Sequence, residues 1–319
     1  MLLLPLSALF ALIVFVRRRL YRARLLPVTR VARPVVVVGN LTVGGTGKTP
    51  LVIALAKALA AQGLRPGIVS RGYGASAAAA RRVRPEDSAQ EVGDEPLLVA
   101  RATGVPVAIG RRRAEAAALL VGEVDVILCD DGLQHYALER DLEIAVMDGA
   151  RQLGNGWLLP AGPLREGRAR LGEVDFVVVN GTGGPSGALH FTMELGEAVQ
   201  LCDGRRQPLE AFASTPVHAV AGIGHPQRFF AALAATGIRA TCTPFVDHAV
   251  YRGTEFEFGD GLPVLMTGKD AVKYRRFAKP GQWCVEAEAV LPPADLARLV
   301  SSIVALFAAR KPRLAALLE

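Results

Sequence analysis

Apolar and polar positions divide the chain into an uncharged head and a series of short apolar runs. Residues 1–16 carry no charge and are dominated by Leu, Ile, Val and Phe. As a helix this head would be about 24 Å long at ~1.5 Å per residue, short of the ~30 Å hydrocarbon core of a bilayer. It predicts a monotopic or barely spanning anchor. Further on, apolar runs at 34–39, 67–70, 105–109, 124–130, 143–147 and 176–179 read as strands. Continuous β-branched runs such as Val35-Val-Val-Val38 are typical of parallel strands covered on both faces. Helical patterns separate several of them, for example over 51–59. Alternating β and α elements predict an α/β fold of the phosphate-loop NTPase type, a parallel sheet with helices on both faces and ligands at the carboxyl ends of the strands.

A composition shift near 195–209 suggests a boundary. Residues 190–194 and 282–286 read as short strands that pair as a two-stranded connector. Between them, 217–223 and 264–267 read as strands of a second, smaller α/β domain, and a helix over about 293–309 returns to the first. The expected organisation is a membrane anchor and basic stem over 1–33, a phosphate-loop kinase domain over 34–197 with 285–319, and a smaller domain over 198–284 that completes the acceptor site. A site shared between two domains implies closure before chemistry. The alanine-rich stretch 75–80 reads as a mobile loop.

Charge sharpens this picture. The 37 Lys and Arg exceed the 30 Asp and Glu by seven. Residues 1–33 hold seven arginines (Arg17, Arg18, Arg19, Arg22, Arg24, Arg30, Arg33) and no acid, so the rest of the chain is balanced. A nucleic-acid binder spreads its basic residues over the folded surface, and no nucleic-acid partner is expected here. Arginines behind an apolar head read instead as membrane-surface chemistry, each contributing ~1 kcal/mol among anionic headgroups. Because they follow the apolar run, it is no secretory signal, and they place the rest of the chain in the cytoplasm. A composition 51% hydrophobic and 21% charged excludes a disordered or fibrous protein. The 4 cysteines have no close pair, which excludes a disulfide scaffold or a zinc knuckle.

The chemistry starts after the first strand. Asn40-Leu-Thr-Val-Gly-Gly-Thr-Gly-Lys-Thr49 leads into a helix with Pro50 near its start, where a missing N–H does no harm. Gly44, Gly45 and Gly47 let backbone N–H groups around Thr42, Val43 and Thr46 turn toward an anion, and the helix N-terminus adds partial positive charge. Lys48 would reach the β- and γ-phosphates, and the Thr49 hydroxyl would ligate Mg²⁺. The usual pattern has glycine where this chain has Thr42, but strand, loop and helix occur in the required order. A bound nucleoside triphosphate, ATP, follows.

Strand 124–130 ends in paired carboxylates, Asp130 and Asp131. In phosphate-loop enzymes such a strand end presents one carboxylate to the metal, and adjacent residues point different ways, so only one of the two faces a given ion. Gln134 and His135 would contact nucleotide or substrate, or cap the next segment. Asp94, followed by Glu95 and Pro96, reads as a helix N-cap.

These residues carry a resemblance to the tetraacyldisaccharide 4′-kinase family. The matching segments are Leu4-Pro-Leu-Ser7, Val38 to Pro50, Ser70-Arg-Gly-Tyr-Gly74, Gly93-Asp-Glu-Pro96 and Asp130-Asp-Gly-Leu-Gln-His135. Further matches are Gly154-Asn-Gly156, Leu159 to Glu166, Ala221-Gly-Ile-Gly224, Asp247-His248 and Lys269-Asp-Ala-Val-Lys273. Their order makes the set specific. The resemblance implies transfer of the ATP γ-phosphate to the 4′-hydroxyl of tetraacyldisaccharide 1-phosphate, giving the lipid A precursor lipid IVA. It implies Mg²⁺ dependence, a place at the cytoplasmic face of the inner membrane, and no obligate protein partner. It further implies Asp94 as the base, helped by His248, and links Arg113, Arg165 and Glu166 to phosphate and metal. One departure is Gly268, where the family usually has Glu.

Three other classes are open to the same loop. A soluble nucleoside or cofactor kinase would leave the apolar head unexplained. Membrane-surface ATPase switches carry Gly-Gly-x-Gly-Lys-Thr with lysine before the glycines, where this chain has Val43. GTPases carry Asn-Lys-x-Asp, which this chain lacks.

Overall fold

Val35 and Val37 face one side of their strand and Val36 and Val38 the other, and all four are buried. Such a strand needs cover on both faces. The computed structural model, which describes residues 3–77 and 79–315, supplies it. Met1 and Leu2 of the expected anchor, and Ala78 of the expected mobile loop, lie outside the described residues.

The elements run α1 (Leu4–Arg22), β1 (Val35–Gly39), α2 (Lys48–Ala61), β2 (Pro66–Ser70), β3 (Arg81–Val83), α3 (Ala89–Val92), α4 (Asp94–Thr103), β4 (Val107–Ile109), α5 (Arg113–Ala118), β5 (Val126–Asp130), β6 (Leu142–Asp148) and β7 (Phe176–Asn180). Then follow β8 (Leu189–Gln200), β9 (Arg206–Gln207), β10 (Val217–Ala221), α6 (Pro226–Ala235), β11 (Ala240–Pro244), β12 (Val264–Thr267), α7 (Gly268–Tyr274), β13 (Gln282–Val290) and α8 (Pro293–Ala315).

The strands form one continuous sheet in the order β11-β10-β12-β13-β8-β7-β6-β1-β5-β2-β4-β3, with β9 beside β8. Pairing is parallel except at β3–β4, β8–β9 and β8–β13. On one face Val36 and Val38 pack with Leu51 and Leu55 of α2, Leu97 of α4 and Leu299 of α8. On the other, Val35 and Val37 pack with Ala116 and Ala117 of α5. The far half repeats the plan, with Phe229, Phe230 and Leu233 of α6 on one face and Tyr274 of α7 on the other.

The strands containing the two expected connector segments do pair, but they are longer than the sequence suggested. The segments themselves do not face each other: 192–194 lie opposite 288–290, and 283–285 opposite 198–200. β8 pairs with β7 through Leu189–Phe191 in parallel, then with β13 antiparallel from Thr192↔Val290 to Gln200↔Trp283. The ladder slips register between Val285 and Ala287. The composition shift near 195 therefore falls inside a strand. Two edge strands, β3 and β11, have no counterpart in the sequence reading.

α1 lies with most of its apolar surface outward: Leu6, Leu9, Leu12, Ile13 and Phe15 are each more than half exposed. Among the described residues no helix is long and apolar enough to cross a membrane. The arginines behind it do not all point to solvent as expected. Arg18 and Arg22 pair with Glu173, Arg24 pairs with Glu139, and Arg17 donates to the Gln134 carbonyl. Arg17 also lies over the Tyr136 ring. At the other end Ser7 Oγ donates to the Leu158 carbonyl at 2.7 Å. The basic stem thus fastens the helix to the protein, because acids at 139 and 173 reach it across the fold.

Candidate active site

The carboxyl ends of β1, β2, β5, β6 and β7 present Gly39, Ser70, Asp130, Asp148 and Asn180 along one rim. Gly39 leaves β1 against Leu133, whose backbone N lies 2.9 Å from where a Cβ would stand. The loop from Asn40 to Gly47 is braced from outside: Val43 N–H donates to the Pro163 carbonyl and Arg165 N–H to the Leu41 carbonyl. Thr42 bridges Leu164. Asn40 Nδ2 donates to the Gly44 carbonyl and Arg151 Nη2 to the Gly45 carbonyl. Gly47 caps α2 at φ +91°, and a Cβ there would lie 2.8 Å from Phe191 Cζ. Only glycine meets both demands.

α2 begins with Lys48 and Thr49, which face the end of β5. Thr49 Oγ1 donates to Asp130 Oδ2 at 3.2 Å. Asp130 is buried, and its Oδ1 has no partner. Burial, joined by the charges of Glu95 and Asp131 and opposed by Lys48, pushes its carboxyl up to about 7. Asp131 turns the other way, at φ +50°. It takes Lys48 Nζ at 3.6 Å and Arg165 Nη1 at 3.1 Å. Burial opposes its ionisation, but the two cations outweigh burial and hold it below the usual carboxylate range. Arg113 is buried; its Nη2 donates to the Asp131 carbonyl and its N–H to His135 Nε2.

Glu166 lines the same cleft as Asp131 and Arg165 but is engaged by other partners. It is buried, accepts from Tyr136 Oη at 2.5 Å and lies 3.5 Å from Arg170 Nε. Among the described residues no group of three His, Cys, Asp or Glu side chains is arranged to hold a metal ion.

The second centre lies at the start of α4. Gly93 at φ +90° is the cap residue; Asp94 follows it as the first helical residue and is not the cap the sequence suggested. Its Oδ1 accepts from Glu95 N–H, leaving Oδ2 for His248 Nδ1 at 2.9 Å. Lys269, in the first turn of α7, reaches Glu95 at 3.1 Å, Asp247 at 3.4 Å and Asp94 at 3.9 Å. Burial alone would lower Lys269, but Glu95, Asp94 and Asp247 outweigh it and raise it above the usual range. Beside it, a Cβ at Gly268 would press on Leu98 Cδ1 at 3.0 Å.

A cleft of about 1560 Å³ joins the centres. Gly44 to Thr49, Asp131 and Arg165 line it from one half of the sheet, and Asp247, His248 and Lys269 from the other. Phe10, Ile13 and Val14 of α1 line it as well. Three contacts here were not legible in the sequence. Asp148 ties Arg228 of α6 at 2.6 Å to Arg151 at 3.5 Å, and Arg151 in turn holds the loop. The only signal was an acid at the end of the strand expected over 143–147.

Fold and site together define an α/β kinase with a glycine loop joining a central parallel strand to a helix. A family model of the Tetraacyldisaccharide-1-P 4′-kinase matches residues 1–305. The chain belongs to this family. The tetraacyldisaccharide 4′-kinase of Shewanella sp. (strain MR-4) is 48% identical to it over 314 residues, covering 97% of this chain and 93% of the relative. That of Shewanella baltica (strain OS195) is 48% identical over 317 residues, with the same coverage. A crystal structure of LpxK from Aquifex aeolicus in complex with ATP has a TM-score of 0.83 at 30% identity, covering 96% of this chain and 98% of that one.

Proposed function

We propose that the chain transfers the γ-phosphate of ATP to the 4′-hydroxyl of tetraacyldisaccharide 1-phosphate. The observation that carries this reading is that His248, bonded to Asp94, lines the same cleft as Gly44 to Thr49. Phosphoryl transfer needs positioning and charge neutralisation more than covalent help. The N–H groups from Gly44 to Thr49 cradle the phosphates. Thr42 and Val43, which the sequence reading includes, are engaged elsewhere: Thr42 bridges Leu164, and Val43 N–H is committed to the Pro163 carbonyl. Lys48, Arg113 and Arg165 supply positive charge where the transferring group sits, once Lys48 and Arg165 exchange Asp131 for phosphate oxygens. Asp94 accepts the proton of the sugar hydroxyl as the new bond forms. An ionised carboxylate only accepts, so His248 Nδ1–H donates to it and fixes its orientation.

The residues present fit Mg²⁺. Asp130 has a buried oxygen with no partner beside the Thr49 hydroxyl, and hydroxyl and carboxylate are the hard oxygen donors this ion prefers. Thr49 and Asp130 would hold it. Asp131 and Glu166 would join only by leaving Lys48 and Arg165, or Tyr136 and Arg170. When bound, the ion neutralises charge on the β- and γ-phosphates.

The proposed organisation keeps a kinase domain over 34–197 with 285–319 and a smaller domain over 198–284. In this reading α1 rests in the cytoplasmic face of the inner membrane. Its outward leucines support that, and so does the acceptor, since each buried CH₂ of a four-chain lipid holds it in the bilayer by ~0.8 kcal/mol.

The test is transfer from radiolabelled ATP to tetraacyldisaccharide 1-phosphate in detergent with Mg²⁺. Label on the lipid is the expected result. ATP hydrolysis with no labelled lipid would overturn the kinase reading in favour of an ATPase switch.

A further inference from the structure

α4 carries more than Asp94. Arg101 lies seven residues on, hence on the same face of the helix two turns away, about 10 Å along its axis. That is comparable with the reach across two linked pyranose rings. Asp94 and His248 share a cavity of about 460 Å³ with Arg101, Arg275 and Arg276. Arg101 and Arg275 also line the larger cleft.

These cations lack acidic partners. Arg101 donates from Nε and Nη2 to the Pro85 carbonyl, and its Nη1 has no partner. Arg276 lies over the Phe277 ring, 4.5 Å from its centroid. Among the described residues neither Arg275 nor Arg276 meets a carboxylate within ion-pair distance. Of the other charged groups lining the cavity, Lys273 pairs with Asp270 and Asp87 with Arg81. Among the described residues lining the cavity, Glu86 is the one acid outside an ion pair, against three guanidinium groups with no acidic partner. Burial first, and then the charge of the neighbouring Arg275, hold the Arg101 guanidinium below its usual range.

We propose that Arg101, Arg275 and Arg276 form the receptor for the 1-phosphate that the acceptor already carries, two sugar rings from the hydroxyl held at Asp94. This rests on the kinase reading above. Guanidinium groups match phosphate oxygens in bidentate geometry, so three around one anion recognise it by shape as well as charge. An acceptor lacking the phosphate leaves them uncompensated, which makes the cluster a device for selecting the acceptor.

The experiment compares tetraacyldisaccharide 1-phosphate with its 1-dephospho counterpart in neutral detergent micelles, for wild type, Arg275→Gln with Arg276→Gln, and Arg276→Lys. The wild type should favour the phosphorylated acceptor in kcat/KM. The double variant should lose at least about tenfold of that preference, mainly through KM for the lipid. The lysine variant, which keeps the charge but not the bidentate fork, should lose a smaller part of it. Both positions are solvent-exposed, so the variants fold. An unchanged preference, or equal losses on both acceptors, would overturn the receptor. So would an effect seen only when anionic lipid is added, which would mark a headgroup site instead. A wild type that labels neither acceptor fails the kinase reading itself and takes the receptor with it.

Discussion

His248 Nδ1 stands 2.9 Å from Asp94 Oδ2, joining residues 154 apart in sequence that come from opposite halves of the sheet. His248 adopts φ +59° to make this contact. A non-glycine residue in the left-handed region is held there by its surroundings. Replacing Asp94 by Asn keeps the shape and removes the proton acceptor. Transfer should fall by about 10²–10⁴, with ATP affinity unchanged by direct binding. His248→Gln should cost less, and the double variant no more than Asp94→Asn alone. Additive losses would separate the pair.

Gly47→Ala should damage the loop without touching the chemistry. The backbone strain is about 1–3 kcal/mol, and the new Cβ would meet Phe191 at 2.8 Å and Asn180 at 3.0 Å. Thermal unfolding should drop by several degrees and ATP affinity should weaken together. A variant as stable as wild type would show that the loop relaxes freely.

Thr49→Val removes one hydroxyl and conserves volume. The Mg²⁺ concentration for half-maximal transfer should rise by at least about tenfold, at the lower end of what disturbing a metal site costs. A Mg²⁺ titration of the two proteins side by side checks this. Coincident curves would discard Thr49 as a ligand.

His135 gives the fold a pH dependence. Burial, with Arg113, Arg140, Arg17 and Arg71, lowers it from 6.5 to about 4. The unfolded chain then binds more protons than the folded one between these values. His135 therefore stabilises the fold above pH 6.5, and that contribution is lost as pH falls toward 4. Its Nε2 accepts from Arg113 N–H, which a protonated ring cannot do. His135→Gln should flatten the fall in unfolding temperature between pH 7 and pH 5. An equally steep fall would assign it to other groups.

Leu9→Asp with Leu12→Asp places charge on the outward face of α1. Each buried leucine is worth about 1.5–3 kcal/mol, so partitioning onto anionic vesicles should weaken at least tenfold. Cosedimentation measures it directly. Undiminished binding would leave α1 without a membrane role.

Much of this structure was legible because its constraints are local. A β-branched run, a glycine loop and a helix with Pro50 in its first turn follow one another within about twenty residues, and each states its own conformation. β8 was not legible to its full length, because Gly196 and the charged Glu197 look like loop residues and only the antiparallel ladder to β13 keeps this part of the strand extended. β3 and β11 are short edge strands, and half their residues face water, so their periodicity is faint. At the site, the pairing of Asp94 with His248 was available only through resemblance. The contacts of Arg228 with Asp148 and of Lys269 with Glu95 join distant segments, and no local pattern announces them. The same holds for the arginines behind α1. Their clustering was plain, but their acids lie more than a hundred residues away.

That last feature separates two kinds of attachment in one helix. α1 holds the protein through ion pairs and carbonyl contacts, and offers its leucines outward. Salt screens the first kind within about a Debye length and strengthens apolar association if it acts at all. Detergent does the reverse, competing for leucines and leaving arginines alone. On the proposed membrane arrangement, extraction with detergent should therefore release the protein with its helix still seated on the body. Washing with concentrated salt should loosen the helix from the body while leaving it in the lipid.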